Sequence, residues 1–159
     1  MTLYAADVMT RSVVSAQEQD SVATVAKLLA EHNISAVPVC DEHGTVTGMV
    51  SEGDLMQPFG KAHAMKRAWW LNLLAEGTTL APAFLDYIRL NRQCARDIMV
   101  SPAVTAPETA SVATIADLLA QHRIKRVPIM RDKVMVGIVS RADIVRAMAR
   151  MPQDDLADF

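Results

Sequence analysis

The feature that most constrains this chain is that it says the same thing twice. Asp7-Val8-Met9 returns as Asp97-Ile98-Met99, and the run Ser21 to His32 (SVATVAKLLAEH) returns as Ser111 to His122 (SVATIADLLAQH). Val37-Pro38-Val39 returns as Val127-Pro128-Ile129, and Gly48-Met49-Val50-Ser51-Glu52-Gly53-Asp54 as Gly137-Ile138-Val139-Ser140-Arg141-Ala142-Asp143, with one residue lost in the intervening turn. A register held that long is internal duplication, and duplication at this spacing sets the architecture before any single residue does. The chain divides into a first repeat (1–56), a segment without a counterpart (57–95), a second repeat (96–150) and an acidic tail (151–159).

Each repeat carries the same local signals. Val13-Val14 and Val104-Thr105 are short β-branched stretches. Ser21 and Ser111 are good N-caps for the helices that follow, in which Val22, Val25, Ala26 and Leu29 share one apolar face. Ala36–Cys40 and Val46–Ser51 read as two strands joined by a polar turn at Asp41–Thr45, matched in the second copy by a turn at Arg131-Asp132-Lys133. A second helix begins after Ser51 and again after Ser140. The predicted fold class is therefore α/β (α+β): two β-α-β-β-α repeats of about 50 residues, each too small to bury a comfortable core alone, packed as a pseudo-twofold pair with two equivalent clefts. In the 57–95 segment Pro58 and Gly60 stop the preceding helix, while 61–76 and 82–92 read as helices carrying Trp69, Trp70, Phe84 and Tyr87.

Composition narrows the function classes. Of the 159 residues 51% are hydrophobic and 21% charged, which excludes a disordered chain, and the net charge of −2 gives no reason to expect nucleic acid or an anionic membrane. No apolar run reaches the ~20 residues of a membrane span, and no secretory signal is visible, so a cytoplasmic location is expected. Cys40 and Cys94 make neither a disulfide framework nor a zinc set, and His32, His122, His43 and His63 lack partners at metal spacing, so no metal is expected. No P-loop and no nucleophile–base pair stands at a recognisable spacing, so no catalytic residue is assigned.

The ordered set of Asp-h-Met, h-Pro-h and Gly-h-h-Ser-x-x-Asp (h, hydrophobic), present twice, resembles the CBS domain, the module named after cystathionine β-synthase. Two in tandem are similar to a Bateman module. The resemblance implies a non-enzymatic, regulatory module that requires no cofactor but binds an adenosine nucleotide (AMP, ADP or ATP, with S-adenosylmethionine or NAD as variants), forms a homodimer and reports to an effector protein. It further implies shared clefts. One combines Val13, Ile34, Ser35, Ala36 and Pro38 with Ser140, Asp143 and the adjacent Arg141; the other combines Ala103, Ile124, Lys125, Arg126 and Pro128 with Ser51 and Asp54. Under it, Gly48 and Gly137 let backbone approach the ligand, Asp54 and Asp143 accept from a ribose diol, and Ser51 and Ser140 open helices toward a phosphate. The alternative that the residues leave open is that Ser-x-x-Asp is a capping box and nothing more, in a ligand-free dimerisation or assembly module; a nucleotide-acting enzyme is a third class. Charge separates the copies: residues 1–56 carry two basic and eight acidic side chains, net −6, and residues 96–150 nine basic and five acidic, net +4.

Overall fold

A computed structural model describes residues 2–60 and 92–151, with the side chains of 57–60 excepted. The expected helices of the 57–95 segment and the acidic tail lie outside the described residues. The elements, in order, are α1 (Ala5–Val8), β1 (Ala16–Gln17), α2 (Val22–Glu31), β2 (Ala36–Cys40), β3 (Val46–Ser51), α3 (Glu52–Gly60), α4 (Ala95–Ile98), β4 (Ala106–Pro107), α5 (Val112–Gln121), β5 (Arg126–Arg131), β6 (Val134–Ser140) and α6 (Arg141–Arg150). Two three-stranded mixed sheets result, β1-β2-β3 and β4-β5-β6, each with its outer strand parallel to the central one: Ala16 lies opposite Val39, and Ala106 opposite Ile129.

Local chemistry explains the elements. Ser21 and Ser111 cap α2 and α5, accepting from the Thr24 and Thr114 amides at 3.1 Å. Val22, Val25 and Leu29 are buried on α2, as are Val112, Ile115 and Leu119 on α5. Both helices end in a Schellman motif: Ile34 and Ile124 donate back to Leu29 and Leu119 (3.0 and 3.1 Å), and the residues between, Asn33 and Arg123, take the left-handed conformation at φ 50° and 53°. Two readings are corrected. The short first strand falls at Ala16–Gln17 and Ala106–Pro107, after the β-branched pairs, because pairing with the buried central strand outweighs intrinsic propensity. The helix after Ser51 runs on through Pro58 to Gly60.

The chain forms two compact units whose membership crosses the repeat. One consists of Met1–Val13, Asp41–Val46 and Pro102–Phe159, the other of Val14–Cys40 and Thr47–Ser101. The leader of each repeat thus belongs with the body of the other. In the unit built on the second repeat, Ala5 and Ala6 donate to the carbonyls of Ala110 and Glu108, and Thr10 exchanges both backbone bonds with Ile138. In the unit built on the first, Ala95 and Arg96 donate to Asp20 and Glu18, and Val100 exchanges bonds with Met49.

The repeated Asp-h-Met now has a physical role. Asp7 and Asp97 accept from the Tyr4 and Cys94 amides (2.9 Å each), closing the short helices α1 and α4. Met9 lies over Gly137 and Met99 over Gly48, so closely that a Cβ on either glycine would sit 2.7 or 2.8 Å from the methionine Cγ. These glycines make room for a methionine, whose side chain fills the space a Cβ would take. Ala5 and Met9 join the core of Val112, Ile115, Val127, Ile129 and Val139; Ala95 joins that of Val22, Val25, Val37, Val39 and Val50.

Candidate functional site

In each unit the strand after the Schellman turn and the helix after the hairpin start side by side. The first amide of α3 (Glu52) donates to the Ser35 carbonyl at 2.9 Å, and that of α6 (Arg141) to the Lys125 carbonyl at 3.0 Å. The third amide is taken as well: Asp54 and Asp143 donate to the Ser51 and Ser140 hydroxyls at 3.3 Å. Only the second amide of each helix, on Gly53 or Ala142, has no partner among the described residues. The helix start therefore offers a ligand one N–H, where a bare helix N-terminus offers several.

The two Ser-x-x-Asp motifs are complete capping boxes. Asp54 Oδ2 accepts from the Ser51 amide (2.8 Å) and hydroxyl (2.9 Å), and Asp143 Oδ2 from the same groups of Ser140 (2.7 Å each). Their outer oxygens differ. Asp143 Oδ1 is held by Arg146 and the residue is 7% exposed. Asp54 is half-buried, and its Oδ1 has no partner among the described residues. A carboxylate oxygen with both lone pairs open can still accept two hydroxyl donors.

The remaining predicted residues divide between the two units. Ile34, Ser35, Ala36 and Pro38 share a unit with Ser51 and Asp54; Val13, Ala103, Ile124, Lys125, Arg126 and Pro128 share the other with Ser140, Arg141 and Asp143. Each cleft set expected from the sequence therefore draws on both units, and each unit carries part of both sets. Pro38 and Pro128 are fully buried and their rings present no surface as they stand. Arg141, assigned with Ser140, turns toward the neighbouring strand entry: its Nε donates to the Ile124 carbonyl at 3.1 Å. Lys125 is exposed, and Arg126 lies opposite Ser140 in the β5–β6 ladder.

Sequence reasoning missed two cations here. Arg123 occupies the left-handed position that Asn33 fills in the first repeat, and Arg146 neutralises Asp143. An Asn after a helix end signals that turn; an Arg does not, because an unbranched side chain in this region costs about 1 kcal/mol. The spacing of Arg146 three residues after Asp143 was a legible i, i+3 pair. Among the described residues there is no group of three or more His, Cys, Asp or Glu placed to hold a metal, and no helix is long and apolar enough to cross a membrane.

Comparison with known proteins converges on one family. The family model for the CBS domain matches residues 5–59 and 95–150. An uncharacterised protein of Methanocaldococcus jannaschii is 30% identical over 96% of this chain, which spans about a third (33%) of that relative's length. The CBS domain of a CBS-domain-containing membrane protein from Sphaerobacter thermophilus is 32% identical, with a TM-score of 0.68, covering 91% of this chain and 86% of its own. The CBS domain pair of protein MJ0100, solved with 5′-methylthioadenosine and S-adenosyl-L-methionine, superposes at TM-score 0.67 over 94% of this chain and 98% of its own, a likeness of fold at 23% identity. Two matched copies, with the leader helix, the capped hairpin-to-helix junction and the mixed sheet repeated in each, make this chain a member of the CBS-domain family, as a tandem pair.

Proposed function

We propose that the chain is a regulatory, non-catalytic module that binds an adenosine-type ligand, with Asp54 and Asp143 as ribose acceptors and the strand entries Ile34–Ala36 and Ile124–Arg126 as the base wall. The observation that carries the reading is the outer oxygen of Asp54, which no described residue engages. Its Oδ2 is spent on the cap, yet Oδ1 of this half-buried residue has no partner among the described residues. A capping box alone uses one oxygen; a diol acceptor uses the other, which in Asp143 also holds Arg146 and would accept through its remaining lone pair. The ligand class of a CBS pair of the same fold, a nucleoside carrying a thioether or sulfonium, agrees with this. The full set of contacts implied by the resemblance, including Val13, Ala103, Pro38 and Pro128, belongs to the same proposal, as do the homodimer and the effector protein.

The test is a thermal-shift panel of AMP, ADP, ATP, S-adenosylmethionine and NAD on the full chain. A ligand at 100 times its Kd adds ~2.7 kcal/mol of stability, a shift of several degrees for a domain of this size. Asp54→Asn keeps the shape and one acceptor oxygen while removing the charge, and is expected to weaken binding at least tenfold with little change in the unliganded melting temperature. A panel in which no adenosine compound raises the melting temperature returns the chain to the ligand-free assembly reading.

A further inference from the structure

Helix α6 carries apolar side chains on both of its sides. Asp143, Ile144 and Ala147 are buried in the core of its unit. On the opposite side Ala142, Val145, Met148 and Ala149 are exposed, Val145 at 63% and Met148 at 38%. Their spacings of three and four residues make them one apolar stripe. Arg141, Arg146 and Arg150 edge it. Arg146 is held by Asp143, whereas Arg141 and Arg150 have no carboxylate partner among the described residues. An exposed stripe that is apolar and edged with cations fits a cover that is apolar and acidic. The chain carries such a segment directly after this helix. Residues 152–159 (PQDDLADF) hold Asp154, Asp155 and Asp158 and no basic side chain. They also hold Leu156 and Phe159, three residues apart as Val145 and Met148 are. We propose that residues 152–159 fold back on α6 as an intramolecular cover, with Leu156 and Phe159 on the Val145–Met148 stripe and the three aspartates against Arg141, Arg146 and Arg150.

The connection permits the return. The helix stops at Met151, whose backbone is extended (φ −78°, ψ 141°), and Pro152 follows, which disfavours any continuation. Eight residues reach up to about 26 Å, while ten helical residues are about 15 Å long, so the segment can run back along the whole of α6. A short tether raises the effective concentration to about the millimolar range, so a contact too weak to join two chains is occupied within one. Charge decides against the other occupants. The 57–95 segment carries Lys61, Lys66, Arg67, Arg89 and Arg92 against Glu76 and Asp86, and would bring cations onto cations. A second copy using α6 against α6 would face the arginines with themselves. With the cover in place, an acidic, apolar segment of another protein reaches α6 only by displacing residues 152–159.

The experiment follows alkylation of a cysteine placed on the stripe. Ala149→Cys changes an exposed alanine and keeps Val145 and Met148, and Asp117→Cys, on the exposed side of α5, is the control. The full chain carrying each change is treated with iodoacetamide, a neutral reagent. Mass spectrometry reads each cysteine in its own peptide, which sets Cys40 and Cys94 apart. At the Ala149→Cys site, Leu156→Ser/Phe159→Ser is expected to raise the rate at least about fivefold. Asp154→Asn/Asp155→Asn/Asp158→Asn is expected to do the same at low salt, with the effect shrinking as ionic strength rises to about 0.5 M. The control site is expected to respond to neither. The serine pair removes no charge, so a rise there is loss of cover and not a change in the acidity of the thiol. A serine pair that leaves the rate unchanged overturns the cover. Protection that survives the serine pair and falls on dilution of the protein also overturns it, and assigns the stripe to a second copy. Protection that arises only when phosphatidylglycerol vesicles are added overturns it in favour of an anionic lipid surface.

Discussion

The corner at Asp54 and the corner at Asp143 agree in their hydrogen bonds almost atom for atom and disagree in nearly every charge. Ser–Asp capping, the amide of the first helical residue given to the strand entry, the Schellman turn and the methionine seated on glycine recur in both units. Those parts close backbone groups that burial would otherwise leave unsatisfied, and that obligation is the same in each copy. Charge has no such obligation. Glu52 became Arg141, Ser35 became Lys125 and Asn33 became Arg123 without altering a backbone bond. The repeated residues report the fold, and the residues that differ between the repeats change the charge of each corner and leave the fold alone.

The largest effects are expected where the two units share a device but bury it differently. Met9 is 8% exposed, whereas Met99 over Gly48 is only half-buried. Met9→Ala should cost about 2–5 kcal/mol by loss of packing and the cavity left behind, and Met99→Ala distinctly less. Gly137→Ala should cost about 1–3 kcal/mol by overpacking, and the double change Met9→Ala/Gly137→Ala less than the sum of the two. Urea denaturation checks all four. Additive losses would show that the methionine and the glycine do not act as one contact.

The capping aspartates come next. Asp143→Ala removes the partner of two Ser140 donors and of Arg146 from a buried position, an expected loss of about 2 kcal/mol; Asp54→Ala removes only the cap, about 1 kcal/mol. Equal losses would mean that Arg146 contributes nothing to the second corner. The left-handed turns differ by less. Arg123→Asn should stabilise by about 0.5–1 kcal/mol, and Asn33→Arg should destabilise by a similar amount, since only the first substitution relieves the strain of an unbranched side chain at positive φ.

Much of this was legible in the residues. The duplication gave two copies, the i, i+3, i+4, i+7 pattern gave the buried faces of α2 and α5, and Ser21, Ser111, Ser51 and Ser140 marked helix starts that the structure keeps. The leader exchange was not legible. Asp-h-Met precedes its own repeat in sequence, and nothing in Met9 says that the glycine beneath it is Gly137. Pairing across a long separation leaves no local trace, whereas caps and helical faces are written within a few residues. The same holds for Arg141, whose neighbour Ser140 is evident in the sequence and whose bond to the Ile124 carbonyl is not.

The smallest expected effect concerns the repeated glutamates. Glu18 pairs with Arg96, a residue of the exchanged leader, while Glu108 pairs with Arg131 at the end of β5, its two oxygens 2.6 and 2.8 Å from the guanidinium. The same acid is therefore satisfied by a leader in one unit and by the hairpin in the other. The hydrogen bonds from Arg131, first among the causes, hold the Glu108 carboxyl below its ordinary value of 4.5. A carboxyl whose pKa is depressed on folding adds stability that is present above the unfolded value and is lost as pH falls through the folded one. The pair is surface-exposed, so the contribution is modest and salt-sensitive. Arg131→Gln should lower the melting temperature by a degree or two at neutral pH (about the weight of one surface pair), and the gap to the parent should close progressively below about pH 4.5. Melting curves of parent and variant from pH 7 to pH 3 at low salt read it directly. A gap that stays constant through that range would mean that Arg131 packs on the hairpin through its stem and that the charge pair adds nothing.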